Sequence, residues 1–189
     1  MRINLEQDIA EAVDALNKGE IVAYPTEAVY GLGCDPNNAE AIERLIELKK
    51  RNPDKGLILI ASRFEQLKPF LDDIDLERAS RAKSQWPGPV TWVWPKNQQL
   101  NVSPLLSGMH QSIAVRVSNH PVVVALCDHF QGAIVSTSAN PEGKSPAKNI
   151  DQVKAYFKTG IGKIIDANLG DLLQPTPIYD VMTENEIRG

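Results

Sequence analysis

Short apolar runs alternate with helix-period stripes along this chain, and the stretch from Ile21 to Ile60 restricts the fold most. Ile21-Val22-Ala23-Tyr24 reads as a buried strand that stops at Pro25 and opens into the loop Thr26-Glu27-Ala28-Val29-Tyr30-Gly31-Leu32-Gly33-Cys34-Asp35. Ile42, Leu45, Ile46 and Leu48 follow at helical spacing, with Asn37 and Glu40 as the expected capping pair. The stripe ends in the cations Lys49, Lys50, Arg51 and Lys55, and the apolar run 56–61 comes directly after. Residues two apart on a helix point about 200° apart, so Lys49 and Arg51 converge only if the helix stops between them. Pro53 disfavours a helical Asn52, which sets the stop near Lys50. Two readings stand at this point. The loop and the cations form a receptor for an anion, or the cations complement the dipole and carbonyls of a last helical turn.

A chain of 189 residues is expected to form one domain, spanning 1–189, that buries about 70% of its unfolded surface. Apolar content of 42% and charged content of 23% are those of a soluble globular protein. A net charge of −4 argues against a general nucleic-acid coat and leaves room for a local basic groove. Cys34 and Cys127 lack metal spacing and are expected to be buried thiols of a cytoplasmic protein. No apolar run approaches the ~20 residues needed to cross a membrane.

The remaining segments keep the alternation. Leu5, Ile9, Val13 and Leu16 form a first helical stripe, capped by Asn4 with Gln7 and stopped by Gly19. Ser62 with Glu65 predicts a short helix to Pro69, and Asp75 to Lys83 predicts another. Trp86-Pro87-Gly88-Pro89 breaks the chain before a strand at Val90 to Trp94, and residues 95–111 form a loop long enough to act as a lid. A strand at 112–117, a helix from Pro121 to Phe130 and a strand at Ala133 to Ser136 follow. A helix from Asn149 to Phe157 and short strands near 163–166 and 178–182 complete the series. This interleaving predicts an α/β fold around one twisted, mixed β-sheet flanked by helices.

Two phosphate-loop signatures nearly form and fail. Gly31-Leu32-Gly33 lacks the third glycine of the dinucleotide fingerprint, and Gly143-Lys144-Ser145 has Ser138 where a Walker loop needs its first glycine. Ser136, Ser138 and Asn140 are spaced by two, so all three project to one side at the end of a strand, where α/β sheets bind ligands. A hydroxyl-rich turn that bonds its own backbone accounts for them equally well. Arg116 shares a strand face with Ser112 and Ala114, opposite Ile113, Val115 and Val117. A guanidinium in so apolar a strand needs an anionic partner, met either by an internal ion pair or by a ligand. His110, His120 and His129 have no metal-like spacing, and no Ser-His-Asp order stands out. Trp92 and Trp94 alternate on one strand face and are expected in the core.

Together these pieces resemble the YrdC-type family of threonylcarbamoyl-AMP synthases in its short bacterial form. The resemblance rests on Tyr24-Pro25-Thr26-Glu27-Ala28-Val29-Tyr30-Gly31-Leu32-Gly33, on Lys49-x-Arg51 with Lys55, and on Trp86-Pro87-Gly88-Pro89-Val90-Thr91. It continues through Ala114-Val115-Arg116, His120-Pro121 and Ser136-Thr137-Ser138-Ala139-Asn140 with Gly143. Three positions depart from the family's common pattern: Asn52 where a proline is usual, Ala28 where many members have threonine, and Ile60 where many have histidine.

The resemblance implies an enzyme, a nucleotidyltransferase. It would join L-threonine, bicarbonate or CO2, and ATP into threonylcarbamoyl-adenylate, releasing diphosphate. The product would supply the threonylcarbamoyl group of a tRNA adenosine beside the anticodon through downstream transferase proteins. Lys49, Arg51 and Lys55 would be catalytic and hold the ATP phosphates, with Ser112, Ser138, Asn140, Ser145 and Arg188 completing the nucleotide site. Threonine would lie against Thr26, Ala28, Arg116, Ser136 and Thr176. Mg2+ would accompany ATP, no protein metal site is expected, and a basic groove would bind tRNA or double-stranded RNA. A carbamate made from a neutral amine and CO2 is already anionic, so its attack on the α-phosphorus needs no general base, only positioning and charge stabilisation. The competing functions are a non-catalytic RNA-binding or ribosome-assembly factor using the same groove, and a paralogue acting on another carbamoyl-type substrate.

Overall fold

The computed structural model describes residues 5–99 and 103–188, the last without its side chain. The elements run α1 (Leu5–Asn17), β1 (Val22–Pro25), β2 (Tyr30–Gly33), α2 (Ala39–Lys49), β3 (Ile58–Ala61), α3 (Leu76–Ser84), β4 (Thr91–Pro95) and β5 (Ser112–Val117). They continue with α4 (Pro121–Phe130), β6 (Ile134–Ser138), α5 (Ile150–Tyr156), β7 (Lys163–Ile164), β8 (Ile178–Asp180) and β9 (Glu186–Arg188). Among the described residues these strands make one sheet in the order β7-β1-β2-β6-β3-β5-β4-β8-β9. The sheet is mixed, as expected: β1–β7, β3–β5 and β4–β8 are parallel, and the other pairs are antiparallel.

The two faces are covered unequally, and this places the site. One face carries Leu32, Leu59, Trp92, Trp94, Val115 and Val135, buried with Ile42 and Leu45 of α2, Ala79 and Ala82 of α3, and Val153 of α5. Truncating a residue as buried as Leu45 to alanine typically costs about 2–5 kcal/mol. The other face packs Val22, Tyr24, Ile60 and Ile134 against Ile9 and Leu16 of α1 and Val122 and Leu126 of α4. Ile58 shares a strand face with Ile60, and Ser136 with Ile134. At Ile58 and Ser136 the cover of α1 and α4 gives way to a pocket.

Several local features differ from the sequence reading. Residues 30–33, expected as loop, are strand β2, paired antiparallel with β1 and β6. Its glycines serve close approach rather than a turn. A Cβ on Gly33 would stand 2.4 Å from Val135 O and 3.0 Å from the Tyr24 ring. The cap of α2 is Asn38, whose side chain accepts from Ala41 N–H, while Asn37 bonds back to Asp35. Ser62 and Glu65 form no capping box. Ser62 donates from N–H and Oγ to Gln66 Oε1, and two 3-10 turns, Phe64–Gln66 and Lys68–Phe70, replace the short helix, with Pro69 inside the second. Strand β9 was not anticipated, and the cap expected at Asn4 lies outside the described residues. In the described part of the loop expected as a lid, Leu106 is buried and its carbonyl accepts from Leu57 N–H at 2.9 Å. Both cysteines are buried free thiols, and burial pushes each up to about 12.

Candidate active site

The cation cluster is dispersed by the way α2 ends. Lys50 takes the left-handed conformation (φ 53, ψ 39), with the N–H groups of Lys50 and Arg51 tied to Glu47 O and Ile46 O. Lys49 and Arg51 therefore leave the helix in different directions. Lys49 turns inward, where Nζ donates to Ser138 O and, at 2.7 Å, to Asn140 O. The residue as a whole is 2% exposed. Burial, then repulsion from Arg51, pulls its pKa down to about 8, with Glu142 opposing. Arg51 donates to Gly56 O at 2.9 Å and lines two adjoining pockets. Lys55 lines the second pocket and pairs with Glu142.

The first pocket gathers Thr26, Ala28, Arg51, Arg116, Ser136, Ser138 and Thr176. Arg116 is buried, as its strand face requires, and does have an internal acidic partner. Nη2 lies 3.2 Å from Glu27 Oε2, and Nη1 donates to Thr176 Oγ1 at 2.7 Å. Thr176 Oγ1 is also 3.2 Å from Thr91 Oγ1. Glu27 accepts from Ser118 Oγ at 2.5 Å, and its carbonyl accepts from Leu172 N–H at 3.0 Å. Thr26 Oγ1 donates to Val29 O at 2.7 Å, closing the tight β1–β2 connection. His120, at the start of α4, bonds Asn168 O through Nε2, and burial holds its imidazole below the usual pKa.

Glu27 is the site residue that sequence reasoning missed. The signal was present, because an arginine in an apolar strand demands an acid, but strand pairing does not say which acid. The structure supplies the ion pair while leaving Arg116 on the pocket wall.

The second pocket shares Arg51, Leu57 and Ile58 with the first and extends over Lys55, Ser112, His110, Val93, Ile178 and Ile187. Ser112 lies on the wall of this second pocket. Three of the expected nucleotide-site side chains, Lys49, Asn140 and Ser145, are not brought to either pocket wall. Lys49 is turned under the 138–140 backbone. Asn140 spends its amide on Pro141 O (3.0 Å) and Lys144 O (2.8 Å), while its buried Oδ1 makes no hydrogen bond. Ser145 is exposed in the following loop. The side chain of Arg188 lies outside the described residues. Ile60, in place of the usual histidine, is fully buried in the core under α1 and α4.

Among the described residues no group of three or more His, Cys, Asp or Glu is placed to hold a metal ion, and no helix is long and apolar enough to cross a membrane. The donors on the pocket walls are hydroxyls, guanidinium groups and an ammonium. Such a set receives anions.

Comparison with known proteins gives the following. The family of Sua5, YciO and YrdC domains, described as "Telomere recombination", matches residues 14–188. A threonylcarbamoyl-AMP synthase of Photobacterium profundum is 45% identical over 183 residues, covering 96% of this chain and 98% of the relative. One of Escherichia coli O6:H1 is 47% identical over 186 residues, covering 97% and 96%. The crystal structure of P. abyssi Sua5 complexed with L-threonine superposes with a TM-score of 0.88 at 32% identity. It aligns with 96% of this chain, which spans about half (53%) of that longer protein. E. coli YciO, at 22% identity and a TM-score of 0.77, shares the fold.

Proposed function

Because this chain belongs to the Sua5/YciO/YrdC family, we propose that it is a threonylcarbamoyl-AMP synthase that joins L-threonine, bicarbonate or CO2, and ATP into threonylcarbamoyl-adenylate and diphosphate. The observation that carries the reading is the pair of adjoining pockets with a common wall at Arg51, one bearing Arg116 and the other Lys55. One is equipped for an amino acid and the other for a phosphorylated nucleotide.

Threonine occupies the first pocket, with its carboxylate on the Arg116 guanidinium and its polar groups near Thr26 and Ser136. The Arg116 guanidinium is ion-paired with Glu27 and donates one hydrogen bond to Thr176, so the fork is oriented before substrate arrives. ATP occupies the second pocket, with Lys55 and Ser112 along its length and Arg51 between the substrates. The neutral threonine amine forms an N–C bond to CO2, one C=O π pair moves onto oxygen, and the nitrogen gives a proton to solvent, leaving an anionic carbamate. One carbamate oxygen forms a bond to the α-phosphorus, the bond to the β-phosphate bridging oxygen breaks, and diphosphate carries away the electron pair. Arg51 and Lys55 stabilise the charge that grows on the leaving group. Lys49 acts at one remove: by holding Ser138 O and Asn140 O it fixes the strand end that presents Ser136 and Ser138. No cluster of described side chains is placed to hold a metal ion, so Mg2+ would be carried by the ATP phosphates, beside Arg51 and Lys55, and would supply charge neutralisation there.

The adenylate serves threonylcarbamoyl modification of tRNA, passing to a downstream transferase in the cytoplasm. Contact with tRNA or double-stranded RNA remains part of this proposal. The test is diphosphate release by purified protein with Mg-ATP, L-threonine and bicarbonate, each omitted in turn. Release that depends on all three, with the adenylate identified by mass, is the expected result. Release indifferent to both threonine and bicarbonate would overturn it.

A further inference from the structure

Next to the second pocket, a carboxylate already sits on Lys55, the cation assigned to phosphate, and on a neighbouring backbone N–H. Glu142, in the loop after β6, pairs with Lys55 and accepts from the backbone N–H of Asn52 at 2.9 Å. Its own N–H donates to Lys49 O at 2.9 Å, which anchors the residue to the end of α2. The carboxyl is held below its ordinary pKa by the Lys55 hydrogen bond first and the Asn52 N–H second. An ammonium and an exposed backbone N–H at a turn are the donors a phosphate oxygen seeks. Both are satisfied here from within the chain.

We propose that Glu142 is a resident competitor for the nucleotide: it occupies Lys55 and the Asn52 N–H until a phosphate chain displaces it, and so sets ATP affinity below what the cations alone would give. The inference rests on the assignment of Lys55 to phosphate made above. The physical basis is a charge balance. The phosphate chain must take Lys55 from a carboxylate that stands beside it in the same loop contact, and after displacement that carboxylate repels the phosphates at short range. The same repulsion eases diphosphate away after reaction. The Lys55 and Glu142 side chains are 54% and 38% exposed, so solvent screens the contest and its magnitude is that of a surface pair.

Glu142→Gln keeps the length of the side chain and an acceptor for Asn52 N–H while removing the charge. Calorimetric titration with Mg-ATP is expected to show two- to five-fold tighter binding, roughly the worth of a screened pair. The Ki of inorganic diphosphate should fall by a similar factor, and the gain should shrink as salt is raised. Threonine KM should not move. A loosened loop would weaken ATP binding, so the direction separates competition from a merely structural role. Unchanged or weaker ATP and diphosphate binding in a folded Glu142→Gln variant overturns the proposal. Lys55→Met tests the underlying assignment separately. If it leaves ATP affinity unchanged, Lys55 is no phosphate ligand. If it weakens ATP while Glu142→Gln gives no gain, the assignment stands and the competition fails.

Discussion

The Arg116 guanidinium lies 3.2 Å from the Glu27 carboxylate, and each side chain is only 7% exposed. Two strands that are not neighbours in the sheet are linked by this pair, since Glu27 follows β1 and Arg116 belongs to β5. The pair therefore ties the connection after β1 to β5 and holds the Arg116 guanidinium at the wall of the first pocket.

Replacing Arg116 by lysine keeps the charge and loses the fork. Hydrogen bonds to a charged group contribute about 1.5–3 kcal/mol, so threonine KM should rise roughly 10- to 100-fold. ATP affinity measured without threonine should stay as it is. Loss of ATP binding with unchanged threonine KM would assign Arg116 to the other pocket.

Glu27→Gln leaves Arg116 buried without its counter-charge. Breaking a buried pair from one side costs about 3–5 kcal/mol. The urea midpoint should fall accordingly, and Glu27→Asp should lose less because the charge remains. Equal stability of Glu27→Gln and wild type would mean that Thr176 alone satisfies the guanidinium.

Arg51→Ala removes the group shared by both pockets. Loss of a donor that stabilises developing charge costs about 3–4 kcal/mol, or 10²–10³ in rate. kcat should drop by that factor and ATP affinity should weaken. A helix-end role would cost under ~1 kcal/mol of stability and leave turnover intact. Steady-state kinetics with a thermal melt on the same sample distinguish these outcomes.

Lys49 gives a pH signature. Its pKa in the folded chain is about 8 against an ordinary 10.5. Below pH 8 both folded and unfolded chains hold the proton, and the cost of burying the charge is present in full. Between about 8 and 10.5 the folded chain has released a proton that the unfolded chain keeps, so stability from this group rises with pH. Relative to Lys49→Met, wild type should gain on the order of 1–3 kcal/mol from pH 8 to 10. A difference that stays flat or falls across that range contradicts a depressed Lys49.

Much of this architecture is readable in the chain because periodicity and punctuation agree there. The α2 stripe, the stop at Lys50 forced by Pro53, and the alternation of Ile113, Val115 and Val117 all depend on local rules. What escaped depends on neighbours distant in sequence. Gly31 and Gly33 look like turn residues until Tyr24 and Val135 are seen to lie against them. Lys49 and Arg51 look equivalent until the left-handed Lys50 sends one under the 138–140 backbone and the other to the pocket wall. Asn140 shares the period-two spacing of Ser136 and Ser138, yet the chain turns after β6 and its amide bonds Pro141 O and Lys144 O instead.

Arg51, Leu57 and Ile58 belong to the walls of both pockets, so the partition between them is one layer of side chains thick. A molecule joined across it is a two-ended ligand. When one end lifts off, the other holds it at high local concentration and the free end returns before the whole escapes. The linked adenylate should therefore dwell far longer than threonine or ATP alone. In the absence of an acceptor, its departure rather than bond formation should set the turnover rate.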